Sequence, residues 1–94
     1  MSKMIISLND ADNDFALTFE GVSPERQSEM CEMFMRYHFS VCESDDGSFV
    51  VFPNGERNAY AALCGLLFVP HRMGAWGATH AWLSSDVLEI CFPN

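Results

Sequence analysis

Apolar side chains recur at every second position in the first twenty residues. Met4, Ile6 and Leu8 share one face of an extended segment, and Phe15, Leu17 and Phe19 face inward against Ala16, Thr18 and Glu20. Between them lies Asn9–Asp14, NDADND, made of residues that bond their own backbone in turns. The pattern predicts two strands joined in a hairpin with an acidic tip. From Ser23 the period changes to that of a helix. Ser23 is placed to cap it, Pro24 fits its first position, and Met30, Met33, Phe34 and Tyr37 fall on one face. Glu25, Glu29 and Glu32 form a stripe roughly opposite, with Met35 and Cys31 between the two faces. The helix is expected to end near Tyr37 or His38.

A second pair of strands, Phe39–Glu43 and Ser48–Phe52, flanks Ser44-Asp45-Asp46-Gly47, and Asp-Gly between apolar runs is a hairpin signal. Asn58–Pro70, NAYAALCGLLFVP, is the most apolar run in the chain and reads as a central core helix buried on nearly every side. Asn54 is placed to cap it, with a start near Gly55 or Glu56 and a stop before Pro70. His71–Ser85 reads as a loop, with a short helix over Ala75–Leu83 as the alternative, and Ser84-Ser85-Asp86 as a cap or turn. Val87–Phe92 closes the chain as a strand. The expected fold is α+β, in the order ββα-ββα-β. A four- or five-stranded, mainly antiparallel sheet would carry two helices on one face. Ninety-four residues should make one compact domain.

Charge changes this picture more than composition does. The net charge is −8, and it is uneven: residues 1–50 carry −7 and the remainder −1. Such a field repels nucleic acid and attracts basic surfaces. No apolar run approaches the roughly 20 residues of a membrane-spanning helix, and the N-terminal stretch is too short for a signal peptide. A cytoplasmic location, in a bacterial host cell, is expected. The four cysteines (Cys31, Cys42, Cys64, Cys91) contain no CxxC pair and read as reduced, mostly structural thiols.

Chemistry is sparse. Asp10, Asp12 and Asp14 have the spacing that opens an EF-hand loop, but Phe15 and Gly21 stand where Gly and a bidentate Glu belong. His38, His71 and His80, with Cys64 and Cys91, match no compact zinc spacing. No nucleophile elbow, P-loop or dinucleotide fingerprint is present. The chain is therefore expected to be neither an enzyme nor a metal or cofactor protein. Trp76 and Trp82, in a Gly/Ala setting, are either core residues or anchors at an interface.

The acidic surface carries the functional reading. Glu25, Glu29 and Glu32 are spaced by about 4.5–6 Å of helical rise, on the scale of the roughly 3.4 Å phosphate repeat of a DNA strand. Asp10, Asp12 and Asp14, and Asp45 and Asp46, add negative points at two hairpin tips. The plainer reading is a solvated face with Glu32 and Arg36 paired at i,i+4. In size, acidity and lack of chemistry the chain resembles the small phage-borne inhibitors of the anti-CRISPR type. That group contains proteins resembling DNA electrostatically, and it has no common fold. The resemblance implies a DNA mimic that binds a basic nucleic-acid-handling partner, such as a Cas protein, with no direct nucleic-acid or membrane partner. The expected partner-binding set is Asp10, Asp12, Asp14, Glu25, Glu29, Glu32, Asp45, Asp46 and Trp76. One alternative is an immunity protein neutralising a basic toxin such as a nuclease. Another is a small-molecule pocket lined by His71, Trp76, His80 and Trp82. A homodimer through an edge strand or the Trp loop remains open.

Overall fold

The computed structural model describes residues 2–69 and 72–93. Alternation produces the predicted hairpin: β1 (Ser2–Asn9) and β2 (Asp14–Glu20) pair antiparallel, with Leu8 opposite Phe15 and Ile6 opposite Leu17. The second hairpin, β3 (Phe39–Glu43) with β4 (Phe49–Pro53), places Val41 opposite Val51. A third hairpin, β5 (Thr79–Trp82) with β6 (Val87–Phe92), completes one six-stranded antiparallel sheet of order β3-β4-β2-β1-β6-β5. The architecture is α+β, as expected, but with six strands instead of four or five. The segment read as a loop or helix contains β5, whose turn is set by Asp86 N–H donating to Ser84 Oγ at 3.2 Å. Its four residues are all exposed at the sheet edge, too short for an apolar pattern to reveal.

Three helices are described. In α1 (Pro24–Arg36), Ser23 Oγ accepts the Arg26 N–H at 3.2 Å, satisfying one orphan donor of the first turn. Its apolar face lies on the sheet: Phe34 stands 5.6 Å from both Phe15 and Phe39, ring centre to ring centre. Tyr37, expected on that buried face, is 40% exposed because the helix ends before it and the chain turns through His38 at φ 70°. Helix α2 (Ala59–Leu67) begins at Asn58, whose Oδ1 accepts the Ala61 N–H at 3.0 Å. Asn54 is not its cap; its side chain accepts the Ser40 hydroxyl at 2.6 Å and ties β4 to β3. Nor is α2 buried all round. Ala59, Leu63, Leu66 and Leu67 are covered, while Tyr60, Ala61 and Gly65 face solvent. Only one side meets the sheet, and scattered apolar residues exposed on the other are ordinary at a protein surface. A four-residue helix, α3 (Arg72–Ala75), follows, which the sequence pattern did not predict.

Both long helices cover the same sheet face. Met4, Ile6, Phe15, Leu17, Phe39, Val51, Leu88, Ile90 and Phe92 point into this core with Met30, Met33, Phe34, Leu63 and Leu67. The opposite sheet face carries no described helix, and none of its side chains is buried.

Candidate functional site

The two acidic hairpin tips lie at opposite ends of the sheet. β2 and β4 run antiparallel, with Phe15 opposite Val51 and Leu17 opposite Phe49. The Asp10–Asp14 turn therefore sits beside the end of β4, while Asp45 and Asp46 sit beyond its start. They do not form one continuous patch. Each tip also has local work. Asn9 Nδ2 donates to Asp12 Oδ2 at 2.9 Å. The Asp14 carboxyl is raised above its ordinary value of 3.8, first by partial burial and then by the Asp12 charge. At the other tip, Asp46 Oδ1 accepts from the Ser48 hydroxyl at 2.6 Å and the Ser48 N–H at 3.0 Å, which lowers its carboxyl below 3.8.

Glu25, Glu29 and Glu32 are exposed along the outer side of α1, as the helical period predicts. Arg26 reaches Glu29 at 3.8 Å and lies over the Phe92 ring, 5.3 Å from its centre. The expected Glu32–Arg36 pair is not formed: among the described residues the ion pairs are Lys3–Glu89 and Arg26–Glu29. A groove of about 240 Å³ runs beneath the stripe, lined by Glu29, Met30, Glu32, Met33, Arg36 and Trp76. Trp76 is half-buried, its ring 6.3 Å from that of Phe92. Of the expected partner-binding residues, the structure thus gathers Glu29, Glu32 and Trp76 around one groove and leaves the hairpin aspartates apart.

The small-molecule pocket expected in the Trp loop is distributed differently. Trp76 packs on Phe92, His80 on Phe68 (4.8 Å between ring centres) and Trp82 on Tyr60 (5.8 Å). His71 lies outside the described residues. The larger cavity, about 350 Å³, lies elsewhere, between the end of α1 and α2. Tyr37, His38, Arg57 and Arg72 supply its polar rim, and Leu66 and Val69 part of its apolar wall. Arg57 stacks on Phe39 at 4.9 Å and donates Nη2 to the carbonyls of Tyr37 and His38, capping α1 from outside. Arg72 stacks on Tyr37 at 4.4 Å and donates Nη2 to its hydroxyl at 3.0 Å. Its Nη1 is buried with no acceptor among the described residues. Sequence reading missed both arginines, because nothing local marks two residues fifteen positions apart as neighbours of one tyrosine.

The thiols do not form a reactive site. Cys31, Cys64 and Cys91 are each pushed up by burial first; the Glu43 charge adds to this at Cys31, and Glu89 at Cys91. They stay protonated and weakly nucleophilic at neutral pH. Cys42, expected among buried structural thiols, is exposed on the uncovered sheet face. Among the described residues no group of three His, Cys, Asp or Glu side chains is placed to hold a metal ion, and no helix is long and apolar enough to cross a membrane. Comparisons with protein-family models, with curated proteins and with solved structures find no match to this chain.

Proposed function

We propose that the chain is a non-enzymatic, protein-binding inhibitor whose α1 stripe docks on a basic, nucleic-acid-handling partner and occupies its nucleic-acid site. A subunit of a CRISPR effector complex in the bacterial cytoplasm is the partner class this reading favours. One observation carries it. Glu29 and Glu32 rim a groove whose floor includes Met30, Met33 and Trp76, so negative charge and a dry aromatic contact share one surface. Charge steers encounter and Trp supplies contact energy, the usual division at an interface. The hairpin aspartates, at opposite ends of the sheet, act through the long-range field instead of through the same contact. The same surface serves an immunity protein bound to a basic nuclease, and the identity of the captured protein separates the two.

The test is capture of partners by the tagged chain from lysate of cells expressing CRISPR effector complexes, at low and high salt. A nucleic-acid-binding protein that is recovered at low salt, and displaced by DNA, supports the mimic. Recovery that is indifferent to Glu25→Lys, Glu29→Lys and Glu32→Lys together removes α1 from the interface.

A second reading, binding of a small organic anion, is favoured by the unpartnered Nη1 of Arg72 beside the Arg57-rimmed cavity. An unsatisfied buried donor costs about 1–3 kcal/mol, more when charged, and a carboxylate or phosphate group would relieve it. Thermal stabilisation by inorganic phosphate or benzoate, lost in Arg72→Met, is its signature.

A further inference from the structure

The cavity rimmed by Arg57 and Arg72 has a second feature, which anion binding alone leaves unexplained. Gly65 forms part of its wall, within α2. Glycine inside a helix costs stability relative to alanine, and packing gives no reason for it here. Apart from its own helix, nothing lies within 4 Å of where a Gly65 Cβ would stand. The space beside the backbone is open. Ala62, three positions earlier, is also small, so the α2 wall is flat, and Leu66 and Val69 extend it as apolar surface.

The charge at this cavity is opposite in sign to that of the chain. Five Lys and Arg side chains stand against thirteen Asp and Glu. Lys3 and Arg26 pair with Glu89 and Glu29, and Arg36 shares a groove with Glu29 and Glu32. The remaining two bases, Arg57 and Arg72, both line this cavity, and among the described residues no carboxylate does. Arg57 donates Nε and Nη2 to backbone carbonyls, and Arg72 donates Nη2 to the Tyr37 hydroxyl. All these acceptors are neutral. In so acidic a chain, two guanidiniums without a carboxylate are matched to an anion from outside.

We infer that the cavity takes a small aromatic monocarboxylate, with its carboxylate on Arg57 and Arg72 and its ring laid against the bare backbone at Gly65. The inference rests on the small-anion reading of the same cavity and narrows it to one class. Volume sets the size: about 350 Å³ lies near the lower end of the roughly 300–1,000 Å³ of small-molecule sites. The apolar wall selects the body. Inorganic phosphate would satisfy the arginines and leave Leu66 and Val69 wet, whereas a ring removes them from water. Flatness follows from Gly65, because a ring can approach helix backbone where a Cβ would hold it away. Charge selects the head group. A chain of net charge −8 repels a dianion more than a monoanion, and a carboxylate matches the planar fork of arginine.

The experiment is isothermal titration calorimetry of the full chain with naphthoate, with its uncharged counterpart naphthylmethanol and with inorganic phosphate. Naphthoate is expected to bind at least about ten-fold more tightly than either of the others, the loss of one good charged contact or of the ring contact. Gly65→Met fills the open space without removing any charge and replaces glycine with a better helix former. It should melt no lower than wild type and lose about ten-fold or more in naphthoate affinity. Phosphate binding as tightly as naphthoate keeps the small-anion reading and overturns the inference. Binding of neither removes both. Naphthylmethanol binding as tightly as naphthoate, or a folded Gly65→Met with unchanged affinity, overturns the inference as well. If Gly65→Met does not fold, nuclear Overhauser effects in the wild-type chain decide. Contacts from the naphthoate ring protons to the Leu66 and Val69 methyl groups are expected, and their absence overturns the inference.

Discussion

Asn13 Oδ1 accepts the backbone N–H of Ala59 at 2.8 Å, joining the tip of the first hairpin to the start of α2 across 46 positions. Its Nδ2 donates to the Arg57 carbonyl at 2.8 Å, so one amide closes two long-range bonds. Its backbone sits at φ 54°, a conformation Asn tolerates better than most residues. Asn13→Ala removes both bonds, leaves a first-turn N–H of α2 without its acceptor and puts in the left-handed region a residue that tolerates it less well than Asn. The expected loss is about 2–3 kcal/mol, from about 1 kcal/mol for each bond and a further 1 kcal/mol or so of backbone strain. Asn13→Gly relieves the strain alone and should fall between the two. Chemical denaturation of the three proteins checks the order.

Two aspartates respond to acid with opposite sign. The folded state raises the Asp14 carboxyl through burial and the Asp12 charge, so native protein binds its proton more tightly than unfolded chain does. Stability from this group falls as pH rises from the ordinary value of 3.8 through the folded value. Asp14→Asn should therefore stabilise the protein at neutral pH, with the gain shrinking in acid. Asp46 is lowered by the Ser48 hydroxyl and N–H, so its contribution is present above 3.8 and is lost as pH falls through the folded value. Ser48→Ala should cost stability at neutral pH and little in strong acid. Melting temperatures across pH 2–7 distinguish the two curves; the same slope in both variants would refute the assignment.

Where a side chain's fate depends on its own neighbours in sequence, it was legible. The alternation of Phe15, Leu17 and Phe19, the Ser23-Pro24 helix start and the Asp46-Gly47 turn all read correctly, because period and cap are local properties. Helix α2 was legible as a helix but not in its packing. Apolar composition on every side suggested all-round burial, yet a two-layer domain has only one sheet face to offer each helix. β5 was hidden because an edge strand of four exposed residues needs no inward pattern. The site divided the same way. The Glu25, Glu29 and Glu32 stripe follows from the helical period, whereas Trp76 beneath it and the Arg57–Arg72 rim arise from long-range packing. The uncovered sheet face is the clearest case: which side chains it gathers is set only once strand order and register are known.

Arg57 should prove more important to folding than its exposure suggests. It supplies the acceptors' partner for two carbonyls at the end of α1 and stacks on Phe39. A planar guanidinium does both at once, and an ammonium does not. Arg57→Lys is expected to destabilise by about 1 kcal/mol and Arg57→Ala by about 2 kcal/mol, within the range for exposed but charge-assisted bonds. Arg72→Met should behave differently. It keeps apolar cover over Tyr37 and removes a guanidinium whose Nη1 is buried without an acceptor, at the cost of the Nη2 bond to the Tyr37 hydroxyl, so the ligand-free protein should lose little or gain stability. Thermal melts of the two variants side by side test the distinction, and equal losses would refute it.

At the α1 groove, magnitude separates steering from contact. Exposed charge pairs contribute about 0.2–1 kcal/mol each, so Glu25→Gln, Glu29→Gln and Glu32→Gln together should weaken partner binding by about ten-fold at low salt. The loss should appear mainly as slower association and should vanish as salt rises, since screening acts over about 8 Å at physiological ionic strength. A buried aromatic anchor contributes about 2 kcal/mol or more. Trp76→Ala should therefore weaken binding by at least about thirty-fold through faster dissociation, at every salt concentration. Because Trp76 also packs on Phe92, the melting temperature of the variant is read alongside. Association and dissociation rates measured against the captured partner decide the matter. If Trp76→Ala leaves dissociation unchanged while the protein remains folded, the groove is not the contact surface, and the acids act at a distance alone.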